Sequence, residues 1–282
     1  MTIEIVQIDA FADKPFSGNP AGVCLLDEPA DPEWMQAVAA EMNLSETSFL
    51  VAVHGGWDLR WFTPTVEVDL CGHATLAAAH FLYEHHGWPA DDELAFFTAS
   101  GELRASRTSD GWIALDFPAG HPEPITPPGA LLQSLGLDDA VAVCRSRLDY
   151  LVEVPSPDQV RELAPDMTRL RKIGTRGVIV TSVGDGLYDV VSRFFAPSVG
   201  VDEDPVTGSA HAVVGPYWVE RLGKTNLLCF QASGRGGVVR VEVGGGDRVT
   251  LAGQAVTVLR ATLEGEAAEP ARPPIAETAP AV

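Results

Sequence analysis

Basic residues are scarce in this sequence. Its 282 residues include 19 Lys and Arg against 39 Asp and Glu, for a net charge of −20. A surface of this sign repels phosphate backbones and anionic lipid, so we expect neither nucleic acid nor a membrane surface as a partner. The same field repels a small anionic substrate, which would need a locally positive or amide-lined pocket.

Long apolar runs are missing as well. No stretch reaches the roughly 18 apolar residues that a membrane-spanning helix needs. Residues 1–11 lack the basic start and extended apolar core of a signal peptide. We therefore expect a soluble, cytoplasmic protein.

Cysteine is rare, and common cofactor motifs are absent. The four cysteines form no CxxC pair, and we identify no histidine at a zinc-like spacing from any of them; they are Cys24, Cys71, Cys144 and Cys229. Each lies in an apolar run, as buried free thiols in a reducing compartment do. There is also no phosphate-binding loop or dinucleotide fingerprint. The sequence thus predicts neither a metal nor an organic cofactor.

What the sequence does contain is an internal repeat. Residues 97–101 (FTASG) match residues 230–234 (FQASG), and residues 60–69 match residues 193–202. Both pairs are 133 positions apart (230 − 97 and 193 − 60). Beyond them, Cys71-Gly72-His73-Ala74 matches Thr207-Gly208-Ser209-Ala210 at an offset of 136, so the second copy has three extra residues near Asp204.

A period of nearly half the chain indicates duplication of a domain rather than a solenoid. We place the first half at residues 1–120 and the second at 121–262, joined by the Pro-rich segment 118–124. The tail, residues 263–282, is rich in Ala, Pro and Glu and is expected to be disordered.

Each half contains one helix, over residues 73–86 and 209–222; the first part of the former, residues 74–82, is small or apolar almost all round, and the latter is similar. Such a helix is buried. Pro216 is expected to kink the second one. Most other segments are short and have the residue pattern of β-strands, among them residues 96–104. The segment Gly18-Asn19-Pro20 has the composition of a turn. The pattern predicts an α+β fold in which a curled sheet surrounds a central helix, twice.

Both buried helices begin at a glycine, Gly72 and Gly208. The first turn of a helix has unpaired N–H groups and a partial positive charge, and glycine allows close approach of a ligand. Each start is therefore a potential carboxylate or oxyanion site. If the halves face each other, both starts converge on one cleft.

Three side chains are candidates for proton transfer. His73 lies in the first helical turn, where the positive helix end favours a neutral ring; alternatively it is a core histidine. Asp204 lies in the insertion that breaks the repeat, although an Asp before Pro also forms turns. Glu46 lies between hydroxyl residues at the entry to an apolar strand, where desolvation would raise its pKa; alternatively it belongs to a surface loop.

Five segments of the sequence resemble the signature blocks of PhzF-like phenazine biosynthesis proteins, in the family's order and spacing. The resemblance spans residues 3–263, and the blocks are SGNPAGV (17–23), NLSET (43–47), FTP (62–64), LCGHAT (70–75) and EDPVTGSA (203–210). It implies the diaminopimelate-epimerase-like fold, with two pseudo-symmetric domains, each a curled, mostly antiparallel or mixed sheet around a central helix. A homodimer is implied as well.

The resemblance also implies roles for individual residues. Glu46 corresponds to the family's proton-shuttling glutamate, and His73 and Asp204 to residues that hold the substrate and share proton transfer. The substrate-binding positions are Ser45, Gly72, Gly208 and Ser209. The implied activity is a cofactor-free isomerisation that moves a proton and a double bond in a small cyclic or conjugated amino-acid-like carboxylate. The specific substrate and pathway do not follow from these residues.

Two other functions remain open. In related amino-acid epimerases two thiols flank the substrate carbon. Cys71 occupies one such place, but residues 205–207 contain no second cysteine. A binding or regulatory protein without enzymatic activity could also use this fold, because fold does not fix function.

Overall fold

The computed structural model describes residues 3–264, which form eighteen strands and six helices. The predicted tail lies outside the described residues from position 265 onward. The strands are β1 (Ile3–Ala10), β2 (Asn19–Leu26), β3 (Glu46–Val53), β4 (Gly56–Phe62), β5 (Glu67–Val68), β6 (Leu94–Thr98), β7 (Gly101–Arg107), β8 (Ile113–Pro118), β9 (Glu123–Pro124), β10 (Ala142–Arg145), β11 (Asp149–Glu153), β12 (Gly177–Val183), β13 (Val190–Ala196), β14 (Val201–Asp204), β15 (Asn226–Gln231), β16 (Gly237–Val243), β17 (Arg248–Gly253) and β18 (Ala255–Leu263). The helices are α1 (Pro32–Met42), α2 (Gly72–Glu84), α3 (Leu131–Leu135), α4 (Pro157–Glu162), α5 (Met167–Leu170) and α6 (Gly208–Leu222), with 3₁₀ turns at Arg171–Ile173 and Pro197–Val199.

The two halves have the same strand order. In the first half the hydrogen-bonded neighbours run β1, β2, β3, β4, β6, β7, β8, and in the second β10, β11, β12, β13, β15, β16, β17. Parallel pairs occur at matching places, β2–β3 with β11–β12 and β4–β6 with β13–β15. All other pairs in these two series are antiparallel. The repeat in the sequence is thus a repeat in topology, as expected for the α+β fold.

The halves are joined by exchanged strands. Antiparallel pairing of β8 with β17 connects the two sheets directly. After β17 the chain continues into β18, which pairs with β1 over the whole length of the first strand, while β9 pairs with β10. The last strand of the predicted second half therefore completes the sheet of the first. The boundaries at residues 120 and 262 stay a prediction.

The central helices lie inside the curled sheets. α2 and α6 contribute to one apolar core that spans both halves and includes Leu76, Phe117, Val214 and Leu251. Two smaller clusters cover the outer faces. α1 packs on the first sheet around Met35, and α3, α4 and α5 pack on the second. The starts of α2 and α6 therefore lie in the interior, where their backbone N–H groups need hydrogen-bond partners.

Pro216 lies within α6, which continues without a break to Leu222. The proline thus does not end the helix, and the carbonyl that Pro216 cannot serve has another partner. The N–H of Gly120, in the Pro-rich linker, donates to the oxygen of Ala212 at 2.9 Å. The linker thus replaces the missing helical hydrogen bond.

Two local expectations are wrong. Residues 96–104 form a hairpin rather than one strand, because Gly101 takes a left-handed φ of 101° and reverses the chain between β6 and β7. Asn19 opens β2 instead of belonging to a turn. Among residues 3–264, no helix combines the length and apolarity needed to span a membrane.

Candidate active site

The starts of the two central helices meet at the boundary between the halves. A Cβ built on Gly72 would lie 3.8 Å from the Cα of Gly208, and a Cβ built on Gly208 would lie 3.8 Å from the Cα of Gly72. These are ordinary van der Waals distances, so the two helix starts lie side by side; the tighter neighbour of Gly72 is the Phe117 ring, whose Cζ would lie 3.0 Å from an added Cβ. The convergence predicted from the repeat is therefore present.

Neither central helix has a capping side chain at its start. The peripheral helices α1, α4 and α5 are capped by side-chain oxygens of Asp31, Ser156 and Asp166. At α2 and α6 the corresponding residues, Cys71 and Thr207, make no such bond. The first turn of each central helix therefore keeps N–H groups that can bind an anion.

Glu46 and His73 form a close, buried pair beside this junction. Glu46 is the first residue of β3 and His73 the second of α2, and Nε2 of His73 lies 3.0 Å from Oε2 of Glu46. The side chains are only 18% and 7% exposed. Within residues 3–264 neither atom has a well-aligned hydrogen bond. Both atoms can therefore direct a lone pair or a proton at a third group.

Each residue of the pair shifts the pKa of the other. Burial alone raises the pKa of Glu46, but the neighbouring His73 ring outweighs burial and lowers that pKa below its ordinary value. Burial alone lowers the pKa of His73, but the Cys71 sulphur and the Glu46 carboxylate raise it well above the ordinary value. The expectations of a raised Glu46 pKa and a neutral His73 ring are wrong, because each considered burial or the helix end without the partner. The two residues titrate as a unit.

Asp204 joins the cluster through Asn19. The Asn19 amide nitrogen donates to Oδ1 of Asp204 at 2.9 Å and to the carbonyl of Val206 at 2.9 Å, and it lies 3.2 Å from Nδ1 of His73. Asn19 is fully buried and belongs to the first half. One side chain thus connects the histidine of one half to the carboxyl group of the other.

The environment of Asp204 favours a protonated carboxyl group more than the environment of Glu46 does. Burial raises the pKa of Asp204, the Glu46 carboxylate raises it further, and His73 and hydrogen bonds offset this only in part. Gln231 fixes the surrounding loop, donating to the Asp204 carbonyl at 2.7 Å and accepting from the Thr207 amide at 2.9 Å. The Thr207 hydroxyl donates to Oδ2 of Asp204. Two carboxyl groups with oppositely shifted pKa values therefore lie near one histidine, an arrangement typical of acid–base chemistry.

The family model for phenazine biosynthesis-like proteins (PhzC-PhzF) matches residues 8–261. The chain belongs to this family. A relative from Halalkalibacterium halodurans, named an uncharacterized isomerase, is 51% identical, and the alignment covers 93% of this chain and 99% of the relative. The crystal structure of a PhzF-family protein from Enterococcus faecalis superimposes with a TM-score of 0.89 at 39% identity, covering 93% and 99% of the two chains.

The fold extends beyond the family. A hydroxyproline epimerase from Agrobacterium vitis is only 11% identical, yet it superimposes with a TM-score of 0.60 over 93% of this chain and 92% of its own. This likeness concerns the fold alone. The family assignment and the epimerase-like α+β fold, both predicted from the sequence blocks, are confirmed.

The structure brings the predicted site residues of this family member together. Glu46, His73 and Asp204 form the cluster described above. Gly72 and Gly208 mark the helix junction, and Ser209, half-buried, follows Gly208 in the first turn of α6. Ser45 is half-buried and adjoins Glu46. Their roles as catalytic and substrate-binding residues stay predictions.

Two contributors, Asn19 and Gln231, were missed as site residues. Asn19 lies in the SGNPAGV block, where its turn-like neighbours hid its role, and Gln231 lies in the repeated FQASG segment, where the first half has Thr98. The expectation that no cysteine has a histidine at close spacing is wrong for Cys71, whose Sγ lies 3.5 Å from Nδ1 of His73. This difference between the two copies of the repeat is the feature of the sequence that could have identified Gln231 as a site residue.

The second half has no equivalent of the Glu46–His73 pair. Strand register pairs Val178 with Phe195 as it pairs Thr47 with Phe62, so Gly177, one residue before Val178, occupies the position of Glu46. Ser209 occupies the position of His73. Within residues 3–264 there is therefore one cluster of this kind, formed by residues of both halves.

Proposed function

We propose that the protein is an isomerase that moves a proton and a double bond within a small carboxylate substrate, with Glu46 as general acid and base. The observation that supports this most directly is the 3.0 Å Glu46–His73 pair, whose facing atoms are buried and without aligned partners, beside two uncapped helix starts. The name of the 51% identical relative, an isomerase, agrees with this reaction class.

In the proposed reaction the substrate carboxylate accepts hydrogen bonds from the first-turn N–H groups of α2 and α6. This explains how a protein with a net charge of −20 could hold an anion. Ser45 and Ser209 would add side-chain hydrogen bonds. The substrate carbon that loses its proton then faces Glu46.

The proton transfer balances without a co-reactant. The Glu46 carboxylate removes a proton from a C–H bond next to the conjugated system, and the electron pair of that bond shifts the double bond. His73 stabilises the carboxylate before the transfer, and Asp204 stabilises the developing charge through its proton. Glu46 then returns the proton to another carbon, so that the product is an isomer of the substrate.

The test is proton NMR in D2O with dihydro-hydroxyanthranilate and a panel of unsaturated amino acids. We expect wild type to exchange a C–H proton or shift a double bond, and Glu46→Gln to do so at least about 100-fold more slowly. Glu41→Gln, at an exposed position at the end of α1, is the matched control and should behave as wild type. Equal exchange by wild type and Glu46→Gln would reject Glu46 as the base. No reaction with any compound would favour a binding protein on this fold.

A second candidate is a cysteine-assisted epimerase. It is favoured by the 3.5 Å contact between Cys71 and His73 and by the fold shared with a hydroxyproline epimerase. Thr207 occupies the place of the second thiol, so only a one-thiol variant would be consistent with the site. Burial and the Glu46 carboxylate raise the pKa of Cys71, which disfavours the reactive thiolate. Full activity of Cys71→Ala would exclude this candidate.

The expected homodimer stays a prediction as well. Sedimentation equilibrium of the full chain measures it, with a mass of 30.0 kDa expected for a monomer and twice that for the dimer.

A further inference from the structure

Cys71, His73 and Glu46 together offer three different metal-binding atoms. One ligand atom from each lies within 4.8 Å of the others, a sulphur, a ring nitrogen and a carboxylate oxygen. This is the donor set that Zn²⁺ prefers. Cys71 and His73 are buried, and the 18% exposure of the Glu46 side chain leaves one side open to solvent.

The geometry of the histidine points to a shared ligand. His73 is only 6% exposed, and its Nε2 lies 3.0 Å from Oε2 of Glu46 without an aligned hydrogen bond. Nitrogen and oxygen ligands at roughly 2.0–2.1 Å from one zinc ion are about 3.0–3.4 Å apart. The pair is therefore already at the separation that chelation requires. Sγ of Cys71 lies 3.5 Å from the other ring nitrogen, Nδ1, so the Cys71 side chain or the ring must rotate for the sulphur and Nε2 to bind one ion.

We propose that this cluster is an inhibitory zinc site, with Cys71, His73 and Glu46 as ligands and a fourth position open to water or substrate carboxylate. On binding, the Cys71 thiol and the protonated His73 ring each release one proton to solvent, so that Cys71 coordinates as thiolate and His73 as neutral imidazole. No electron transfer is involved. The inhibitory consequence rests on the proposed function, because the metal would occupy the proton-transferring atoms of Glu46 and His73. The binding itself does not rest on it.

The matching positions of the second half predict how many zinc ions one chain binds in this way. These positions carry Thr207, Ser209 and Gly177, and hydroxyl groups and glycine do not replace thiolate, imidazole and carboxylate. We therefore expect one such site in each chain.

The test is titration of the full chain with Co²⁺, which reports tetrahedral sites by its visible absorption and thiolate ligands by a near-ultraviolet charge-transfer band. Wild type should show the thiolate band with saturation at one equivalent, and Zn²⁺ should displace it. Cys71→Ser should lose the band and bind Zn²⁺ more weakly, by more than the roughly 10–100-fold that loss of an outer-shell contact costs. Cys144→Ala, which removes another buried thiol, should retain both properties.

Several results would overturn the proposal. Absence of a thiolate band in wild type, or its persistence in Cys71→Ser with a native circular dichroism spectrum, would exclude Cys71 as a ligand. If Zn²⁺ binds through Cys71 but C–H exchange continues at the metal-free rate, the site is not inhibitory. Because cobalt binding is read without turnover, failure of the zinc site and failure of the proposed isomerase are distinguished. Failure of the isomerase would appear as no exchange in metal-free protein that still gives the Cys71-dependent band.

Discussion

The two halves of the molecule use one scaffold for two different tasks. Each places a central helix inside a curled sheet, and the two helix starts meet at Gly72 and Gly208. In the first half the start is Cys71-Gly72-His73, beside Glu46; in the second it is Thr207-Gly208-Ser209, and Gly177 is the residue that matches Glu46. In the proposed function, the residues that the halves share build the anion-binding junction, while the residues that differ supply the proton chemistry.

The second half contributes positioning. Its three-residue insertion carries Asp204, which Asn19, Thr207 and Gln231 hold in place. Without this insertion the second half would have no carboxyl group near His73. The insertion that breaks the repeat is therefore where, in the proposed function, the second half takes a role different from that of the first.

The largest expected effect comes from making the first helix start resemble the second. His73→Ser should slow C–H exchange by about 1,000-fold, because Glu46 loses its proton partner. Without His73, burial is unopposed and should raise the pKa of Glu46, so the residual activity should shift its acid limb to higher pH. Ser209→Ala, the matched change in the second half, should cost only about 10-fold. A similar loss in both variants would contradict the division of tasks.

How much of this site could be predicted is clear from individual residues. Glu46, His73 and Asp204 became candidates through their places beside an apolar strand, in a buried helix and in the break of the repeat, and the resemblance to the family blocks then implied their roles. Asn19 could not be assigned, because its contact with Asp204 joins residues 185 positions apart and depends on how the halves dock. The pKa directions of Glu46 and His73 failed for the same reason, since each is set by the other residue.

The fold was predictable where local rules decide it. Helix α1 begins at Pro32 with Asp31 as cap, and the repeat predicts two matched sheets. The exchange of β18 into the first sheet could not be predicted, because pairing of β18 with β1 is a contact between opposite ends of the chain. Periodicity alone does not fix the partner of a strand.

The second-largest effect should be a difference between the two central helices in their contribution to stability at acid pH. His211 of α6 is fully buried and its ring contacts the Thr207 carbonyl, whereas the matching residue of α2 is Thr75, whose hydroxyl donates to the Cys71 carbonyl. Burial lowers the pKa of His211 to about 4, from about 6.5 in the unfolded chain. Between these values the unfolded state binds more protons, so the free energy of unfolding falls as pH drops from 6.5 to 4.

His211→Thr copies the first-half residue and should remove about 2–3 kcal/mol of this acid-induced loss. Urea unfolding of both proteins at pH 7 and pH 4.5 measures it, and the pH 7 comparison corrects for the change in packing. A loss of the same size in wild type and variant would show that His211 titrates normally in the folded protein.

Gly177→Ala tests why the second half has a glycine at the position where the first half has Glu46. A Cβ at this position would lie 2.3 Å from Cζ of Phe194, so the substitution should lower the free energy of unfolding by about 1–3 kcal/mol. Phe194→Leu in the same chain should recover part of that loss, and chemical denaturation of the four proteins of this cycle gives the coupling. Additive effects would mean that the Phe194 ring does not restrict Gly177.

The smallest effect is expected at Pro216, where the two helices are least alike. A proline inside a helix usually costs about 3 kcal/mol, half or more of it through unserved hydrogen bonds and crowding. Here the Gly120 N–H already donates to the Ala212 carbonyl. Pro216→Ala should therefore change the free energy of unfolding by less than about 1 kcal/mol, because the new N–H competes with Gly120 for one carbonyl and the unfolded chain gains freedom. Amide exchange at Gly120 should become faster, while His80→Pro, at the matching place in α2, should cost the full roughly 3 kcal/mol. A gain of that size from Pro216→Ala would show that the linker does not compensate the proline.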